Sequence, residues 1–271
     1  RLINLRNKLF TTKDLENYSQ DLDETERDLT LFVGQIINKL SLNYINDVDL
    51  IGFHGQTIFH NPEKKISKQL GNGKLLSQLT KKIVINNFRN DDLINNGQGA
   101  PLTPIFHSLL SRYLNKNFNL KYPMNIINIG GITNITQILS KNNSEDKELY
   151  AYDIGPGNCL IDEWVQKNSK NKFDDNGKFA KAGKVNDLIL NLALDNFDIK
   201  TYCKSMDVKD FDISFVKGLT LEDGCATLTK FSGILIAKGI EYLNNLNNIS
   251  STINLVCGGG RKNLFLINSI S

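Results

Sequence analysis

Three glycine clusters, Gly130-Gly131, Gly155-Pro156-Gly157 and Gly258-Gly259-Gly260, each follow a run of strand-forming residues. Glycine at a strand end leaves backbone N–H groups open to an anion, so these turns read either as plain turns or as a cradle for phosphate. None fits the P-loop pattern G-x-x-x-x-G-K-S/T or the dinucleotide pattern G-x-G-x-x-G, which leaves both readings unsupported. His54-Gly55-Gln56-Thr57, with His60-Asn61-Pro62 soon after, places several hydrogen-bonding side chains on what reads as one strand-end loop. Two histidines six apart with no carboxylate nearby make a poor zinc site. The densest polar stretch is Phe88-Arg89-Asn90-Asp91-Asp92, followed by Gly97-Gln98-Gly99-Ala100-Pro101-Leu102. Its adjacent acids are either helix caps and solvated loop charges or, beside an arginine, a general base.

The elements that must hold these groups emerge from periodicity. Leu29, Phe32, Val33, Ile36, Ile37 and Leu40 form an i, i+3, i+4, i+7 stripe that predicts an amphipathic helix over 23–42. Apolar runs at 48–53 and 82–88 predict strands, and Pro101 opens a helical pattern that contains Pro104 and continues through Tyr113. Residues 125–129 and 132–138 read as two strands joined by a tight glycine turn, and a third strand spans 149–154. A helical pattern at 219–246 carries Gly224, Gly233 and Gly239, which predicts close packing, and a last strand at 253–257 runs into the triple glycine. Strands alternating with helices, with glycine turns at strand ends, predict an α/β architecture in two lobes, 1–123 and 124–271.

Composition sets the outer limits. The 271 residues are 40% hydrophobic and 23% charged, an ordinary globular balance that excludes disordered and low-complexity architectures. Lys+Arg minus Asp+Glu is 32 − 29 = +3, without a run of five like charges, so no nucleic-acid partner is expected. No stretch approaches the roughly 18 uninterrupted apolar residues of a membrane span. Cys159, Cys203, Cys225 and Cys257 are scattered and form no C-x-x-C, as expected of small buried hydrophobes in a reducing cytoplasm.

Read together and in order, the motifs resemble the anhydro-N-acetylmuramic acid kinase family. They are His54-Gly55-Gln56-Thr57 with His60-Asn61-Pro62, Phe88-Arg89 with Asp92, Gly97-Gln98-Gly99-Ala100-Pro101-Leu102, Asn128-Ile129-Gly130-Gly131-Ile132-Thr133-Asn134-Ile135-Thr136, Asp153-Ile154-Gly155-Pro156-Gly157-Asn158 and Cys257-Gly258-Gly259-Gly260. The likeness runs over essentially the whole chain. Two positions depart from it: Lys204-Ser205-Met206-Asp207 stands where the family has Lys-Ser-Thr-Gly, and Asn96 stands where it has glycine.

The resemblance implies an actin/hexokinase-like (ribonuclease H-like) α/β fold of two lobes with an ATP cleft between them. It implies a cytoplasmic homodimer of murein recycling, with ATP, Mg²⁺ and 1,6-anhydro-N-acetylmuramic acid as its small-molecule partners. In that reaction water opens the anhydro bridge while the freed 6-oxygen is phosphorylated, giving N-acetylmuramic acid 6-phosphate. Asp92 matches the family's base; His54, Gln56, Thr57 and Arg89 are expected at the sugar, with Arg89 also an expected charge partner of Asp92. Gly130, Gly131, Asp153, Gly155, Gly157, Gly258, Gly259 and Gly260 are expected around the nucleotide, with Asp153 near metal and phosphates and no residue assigned as a metal ligand. The family's opening Gly-Thr-Ser-x-Asp-Gly phosphate loop and closing Glu-Ala helix are not in these residues. The resemblance therefore implies shortening at both ends, and turnover by this stretch alone is not expected. Two alternatives stay open: a kinase for another sugar on the same fold, and a nucleotide- or sugar-binding protein without turnover.

Overall fold

The computed structural model describes residues 1–44, 48–140, 149–197 and 206–270, with side chains described up to residue 40 in the first stretch. Cys203, Lys204 and Ser205 lie outside the described residues. The elements run α1 (Leu2–Arg6), α2 (Thr12–Asn17), α3 (Ser19–Tyr44), β1 (Leu50–Phe53), β2 (Gln56–Asn61), β3 (Ile66–Leu70), α4 (Gly73–Thr80), β4 (Ile83–Asn86), α5 (Phe88–Ile94) and α6 (Pro104–Phe118). They continue with β5 (Met124–Ile129), β6 (Ile132–Ile138), β7 (Leu149–Pro156), α7 (Cys159–Asn168), α8 (Lys178–Ala182), α9 (Asp187–Asp195), α10 (Leu221–Leu246), β8 (Ile253–Cys257) and α11 (Leu264–Ser269).

Contacts divide the chain into two compact units, Arg1–Leu102 and Thr103–Ser271. The sequence places the change near residue 123, but α6 packs on β6 and β7 and so belongs to the second unit. His107 on α6 is buried and its Nδ1 lies 2.7 Å from Thr136 Oγ1 on β6. The helix also starts at Pro104 rather than Pro101, so Pro104 occupies the first turn, where its missing N–H costs nothing.

In the first unit β1 and β4 pair in parallel while β2 and β3 form an antiparallel hairpin. Leu5, Leu9, Leu22, Ile58 and Leu70 form the core beneath the hairpin. The long helix α3 fixes the exit of the hairpin by polar contacts: Glu26 accepts from the Gly71 N–H at 3.1 Å, and Thr30 Oγ1 from the Asn72 N–H at 3.0 Å. The residues 56–61, expected on a loop, are strand. Thr57, Ile58 and Phe59 are β-formers, and β3, which periodicity does not reveal, supplies their partner.

In the second unit one four-stranded sheet has the order β7-β6-β5-β8. Because β5 is antiparallel to β6, β6 antiparallel to β7, and β5 parallel to β8, strands β5, β7 and β8 all point the same way. Their carboxyl ends, and hence the three glycine turns, must lie along one edge. Helix α10 covers the sheet as a single element of 26 residues. Its glycines are contact points: a Cβ on Gly239 would lie 2.8 Å from Ile154, and one on Gly224 would run into the Trp164 ring. The described cysteines are free thiols, and burial pushes those of Cys159 and Cys225 up to about 12, which suits inert core residues.

Candidate functional site

The three glycine turns of the second unit do converge. The Gly157 and Cys159 N–H groups donate to Gly131 O at 2.8 and 3.2 Å, and the Asn158 N–H donates to Gly130 O at 2.8 Å. A Cβ on Gly157 would overlap Gly130 O, and one on Gly258 would overlap Ile129 O. Gly260 presses on the Ile129 side chain and faces the Asn158 amide. Gly258 holds φ +83°, and its carbonyl accepts from Arg261 Nη1 at 2.7 Å. The turns thus lock one another through backbone, and only glycine allows the approach.

The structure corrects one expectation at atomic detail. The sequence makes each turn a source of open donors, yet the N–H groups of residues 157–159 are spent on the neighbouring turn. Their hydrogen bonds shape the edge; they are not themselves the open donors that anion recognition requires. Asp153, on β7 just before Gly155, is 8% exposed and accepts from the Met206 N–H at 2.8 Å. That bond ties the turn edge to the segment containing Met206-Asp207, one of the two departures from the family pattern.

The first unit builds a different kind of surface. His54 sits between β1 and β2, and its Nδ1 lies 2.9 Å from Gly55 O while Nε2 lies 3.0 Å from Arg89 Nε. An arginine only donates, so Nε2 must accept and Nδ1 must carry the proton. Thr57 Oγ1 accepts from Gln69 Nε2 at 3.3 Å; the same nitrogen donates to Ser67 Oγ at 2.8 Å, and Ser67 Oγ lies 3.0 Å from His60 Nδ1. This polar row ties Thr57 and His60 of β2 to Ser67 and Gln69 of β3. Sequence reasoning misses Ser67 and Gln69; the alternation Ser67-Lys68-Gln69 is their only signal, and it acquires meaning once β3 is known to face Thr57. Gln56, next to Thr57 in the strand, points to the opposite face and is exposed. The structure therefore unites His54 with Arg89 and Thr57 with His60, and leaves the exposed Gln56 outside that row, its Nε2 donating to the Thr57 carbonyl at 3.3 Å.

Asp91 and Asp92 lie on helix α5 rather than on a strand-end loop. The helix begins after Asn87, whose left-handed conformation (φ +72°) turns the chain from β4 into α5. Asp91 is exposed, whereas Asp92 is partly buried. Asp92 Oδ2 accepts from the Gly99 N–H at 2.7 Å; Arg89, expected beside it, gives its Nε to His54. The helix ends in paired bonds: Asn96 N–H to Leu93 O at 3.2 Å and Gly97 N–H to Asp92 O at 2.8 Å, with Asn96 at φ +69°. This is a Schellman cap, in which the residue after the cap takes the left-handed conformation. The departure at Asn96 is thus explained, because asparagine is the usual second choice to glycine there. Its Oδ1 accepts from Lys65 Nζ at 2.7 Å, which ties the cap to the β2–β3 turn.

No group of three or more His, Cys, Asp or Glu among the described residues forms a metal site. No helix among them is long and apolar enough to cross a membrane.

The mixed α/β architecture, with its three glycine turns along one edge of the sheet, is consistent with a sugar kinase of the actin/hexokinase-like type. The chain belongs to the anhydro-N-acetylmuramic acid kinase family, whose model matches residues 4–271. It is 51% identical over 271 residues to the anhydro-N-acetylmuramic acid kinase of Pelagibacter ubique (strain HTCC1062), covering 99% of this chain and 70% of that protein. It is 35% identical over 255 residues to the enzyme of that name from Agrobacterium fabrum (strain C58 / ATCC 33970), and 36% identical over 255 residues to that from Brucella canis (strain ATCC 23365 / NCTC 10854 / RM-666). Those matches cover 93% and 92% of this chain, which spans 65% of the length of each of the two relatives.

Proposed function

We propose that the protein is an ATP-dependent kinase of 1,6-anhydro-N-acetylmuramic acid, with Asp92 as its general base. Asp92 would take a proton from water as the water oxygen bonds to the anomeric carbon. The bond from that carbon to the bridging 6-oxygen breaks, and the 6-oxygen bonds to the γ-phosphorus as the bond to ADP breaks. A carboxylate on the face opposite the leaving oxygen is what such an inversion needs. The observation that carries the assignment is the held carboxylate of Asp92 beside its freely exposed neighbour Asp91.

His54, Arg89 and Thr57 would meet hydroxyl, N-acetyl and lactyl carboxylate groups, with Arg89 the cation that faces the carboxylate. Gln56 belongs to this group only if the sugar reaches both faces of β2. Gly130, Gly131, Gly155, Gly157 and Gly258–Gly260 would shape the edge that receives the ATP phosphates. Mg²⁺ is held in such enzymes by one or two carboxylates together with the substrate phosphates, and Asp153 beside the turns fits that role; the ion would neutralise charge on the phosphates. The reading also makes the protein a cytoplasmic homodimer; light scattering of the purified protein would check the dimer, and cell fractionation the location.

The test is to incubate the full-length protein with ATP, Mg²⁺ and the anhydro sugar and to follow ADP and the sugar product by mass spectrometry. A phosphorylated product heavier than the anhydro sugar by phosphoryl plus water is expected. Equal turnover of N-acetylmuramic acid lacking the bridge would favour a kinase for another sugar, and binding of both ligands without ADP would favour a non-catalytic protein.

A further inference from the structure

Resting on the assignment of Asp92 as base, we infer that Gly97 is a positioning residue for its carboxylate: the cap of α5 doubles as the clasp that aims the base. A Cβ on Gly97 would overlap both carboxyl oxygens and the Cγ of Asp92, so the glycine backbone lies directly against the carboxyl group. Gly97 is also the residue whose N–H donates to the Asp92 carbonyl, so one residue fixes both ends of Asp92. The Gly99 N–H holds Oδ2 at 2.7 Å, which assigns Oδ1 as the oxygen that takes the proton from water. Gly99 is itself confined: it is buried with φ +70°, and a Cβ there would lie 3.0 Å from Leu93 and 3.1 Å from His60. The ring Asp92-Leu93-…-Gly97-Gln98-Gly99 therefore leaves the carboxylate one orientation.

Gly97 does not hold a positive φ, so alanine is acceptable to its backbone and the three atoms nearest the added methyl all belong to the Asp92 carboxyl group. Displacing a reacting group by about 1 Å can cost up to about 10²-fold in rate. In the full-length protein Gly97→Ala is expected to lower kcat by about 10–10²-fold while the KM values for ATP and sugar stay near normal. In a double-mutant cycle, Asp92→Asn/Gly97→Ala is expected to be no slower than Asp92→Asn alone, because the methyl then has no base to displace. If Gly97→Ala melts early, Asp92→Ala/Gly97→Ala is expected to recover the lost Tm, since the clashing carboxyl is gone. Unchanged kcat in Gly97→Ala, additive losses in the cycle, or no recovery of Tm would overturn the clasp. Normal turnover in Asp92→Asn would instead overturn the base assignment beneath it.

Discussion

The two units solve the placing of functional groups in opposite ways. In the second, the working edge is backbone on backbone: Gly130 and Gly131 accept from residues 157–159, and Gly258 and Gly260 close on Ile129. In the first, the side chains are held one by one: His54 against Arg89, Thr57 through Gln69 and Ser67 to His60, and the Asp92 carboxylate by the Gly99 backbone N–H. That edge takes no side chain at Gly157, Gly258 or Gly260, where a Cβ would run into Gly130 O, Ile129 O or the Ile129 side chain. A side-chain array tolerates reshaping but depends on each polar partner. The difference suits the two ligands proposed here: a rigid backbone edge gives phosphates a fixed surface to lie against, and a sugar is recognised by a particular set of hydroxyl and amide partners.

Asp92→Asn is the sharpest way to break this contrast in the first unit. Turnover is expected to fall about 10²–10⁴-fold with ATP affinity retained, while Asp91→Asn stays near normal. A steady-state comparison of the two variants decides it, and a damaging Asp91→Asn would move the base. In the second unit Gly157→Val and Gly258→Ala should each cost about 1–3 kcal/mol of nucleotide binding or stability, because the side chain drives into Gly130 O or Ile129 O. Calorimetric ATP titration with a thermal melt would show it, and unchanged values in both would mean that the edge is not interlocked as described.

Asn96→Val should lower stability by about 1–2 kcal/mol, since a β-branched residue is strained at φ +69°, whereas Asn96→Gly should hold stability. Equal denaturation midpoints for the two variants would dismiss the cap. The smallest effect is at Asp162, whose carboxyl is pushed up from 3.8 to about 6 by burial first and by the charge of Asp174 second. Its folded pKa is raised, so the neutral form contributes stability that is fully present below about 3.8 and is lost as pH rises through about 6. Asp162→Asn should flatten the stability profile between those values, measured by denaturant unfolding at each pH; an unchanged slope would remove Asp162 from the account.

How far the sequence can be read tracks the same contrast. The β5–β6 hairpin, β7, β8 and α10 are legible because periodicity and glycine punctuation agree, and glycines that must fit against backbone leave their mark in the sequence itself. The β2–β3 hairpin is not, because Ser67 and Gln69 carry no signal until Thr57 and His60 lie across from them. It is the family resemblance, through its spacing to Gly97-Gln98-Gly99, that selects Asp92 over Asp91, and helix α5 reads there as a loop: seven residues bounded by left-handed Asn87 and Asn96 are too short to show a period. Likewise α6 reads as part of the first lobe, since nothing local reveals that His107 packs on Thr136.

In the proposed reaction water opens the anhydro bridge while the sugar's own 6-oxygen receives the phosphoryl group. Turnover in ¹⁸O-labelled water, quenched early and read by mass spectrometry of the product fragments, tests it most directly. One heavy oxygen is expected at the anomeric carbon and none in the phosphate group, beyond the exchange shown by unlabelled product held in the same water. Heavy oxygen in the phosphate, or an anomeric carbon labelled no more than that control, would contradict it.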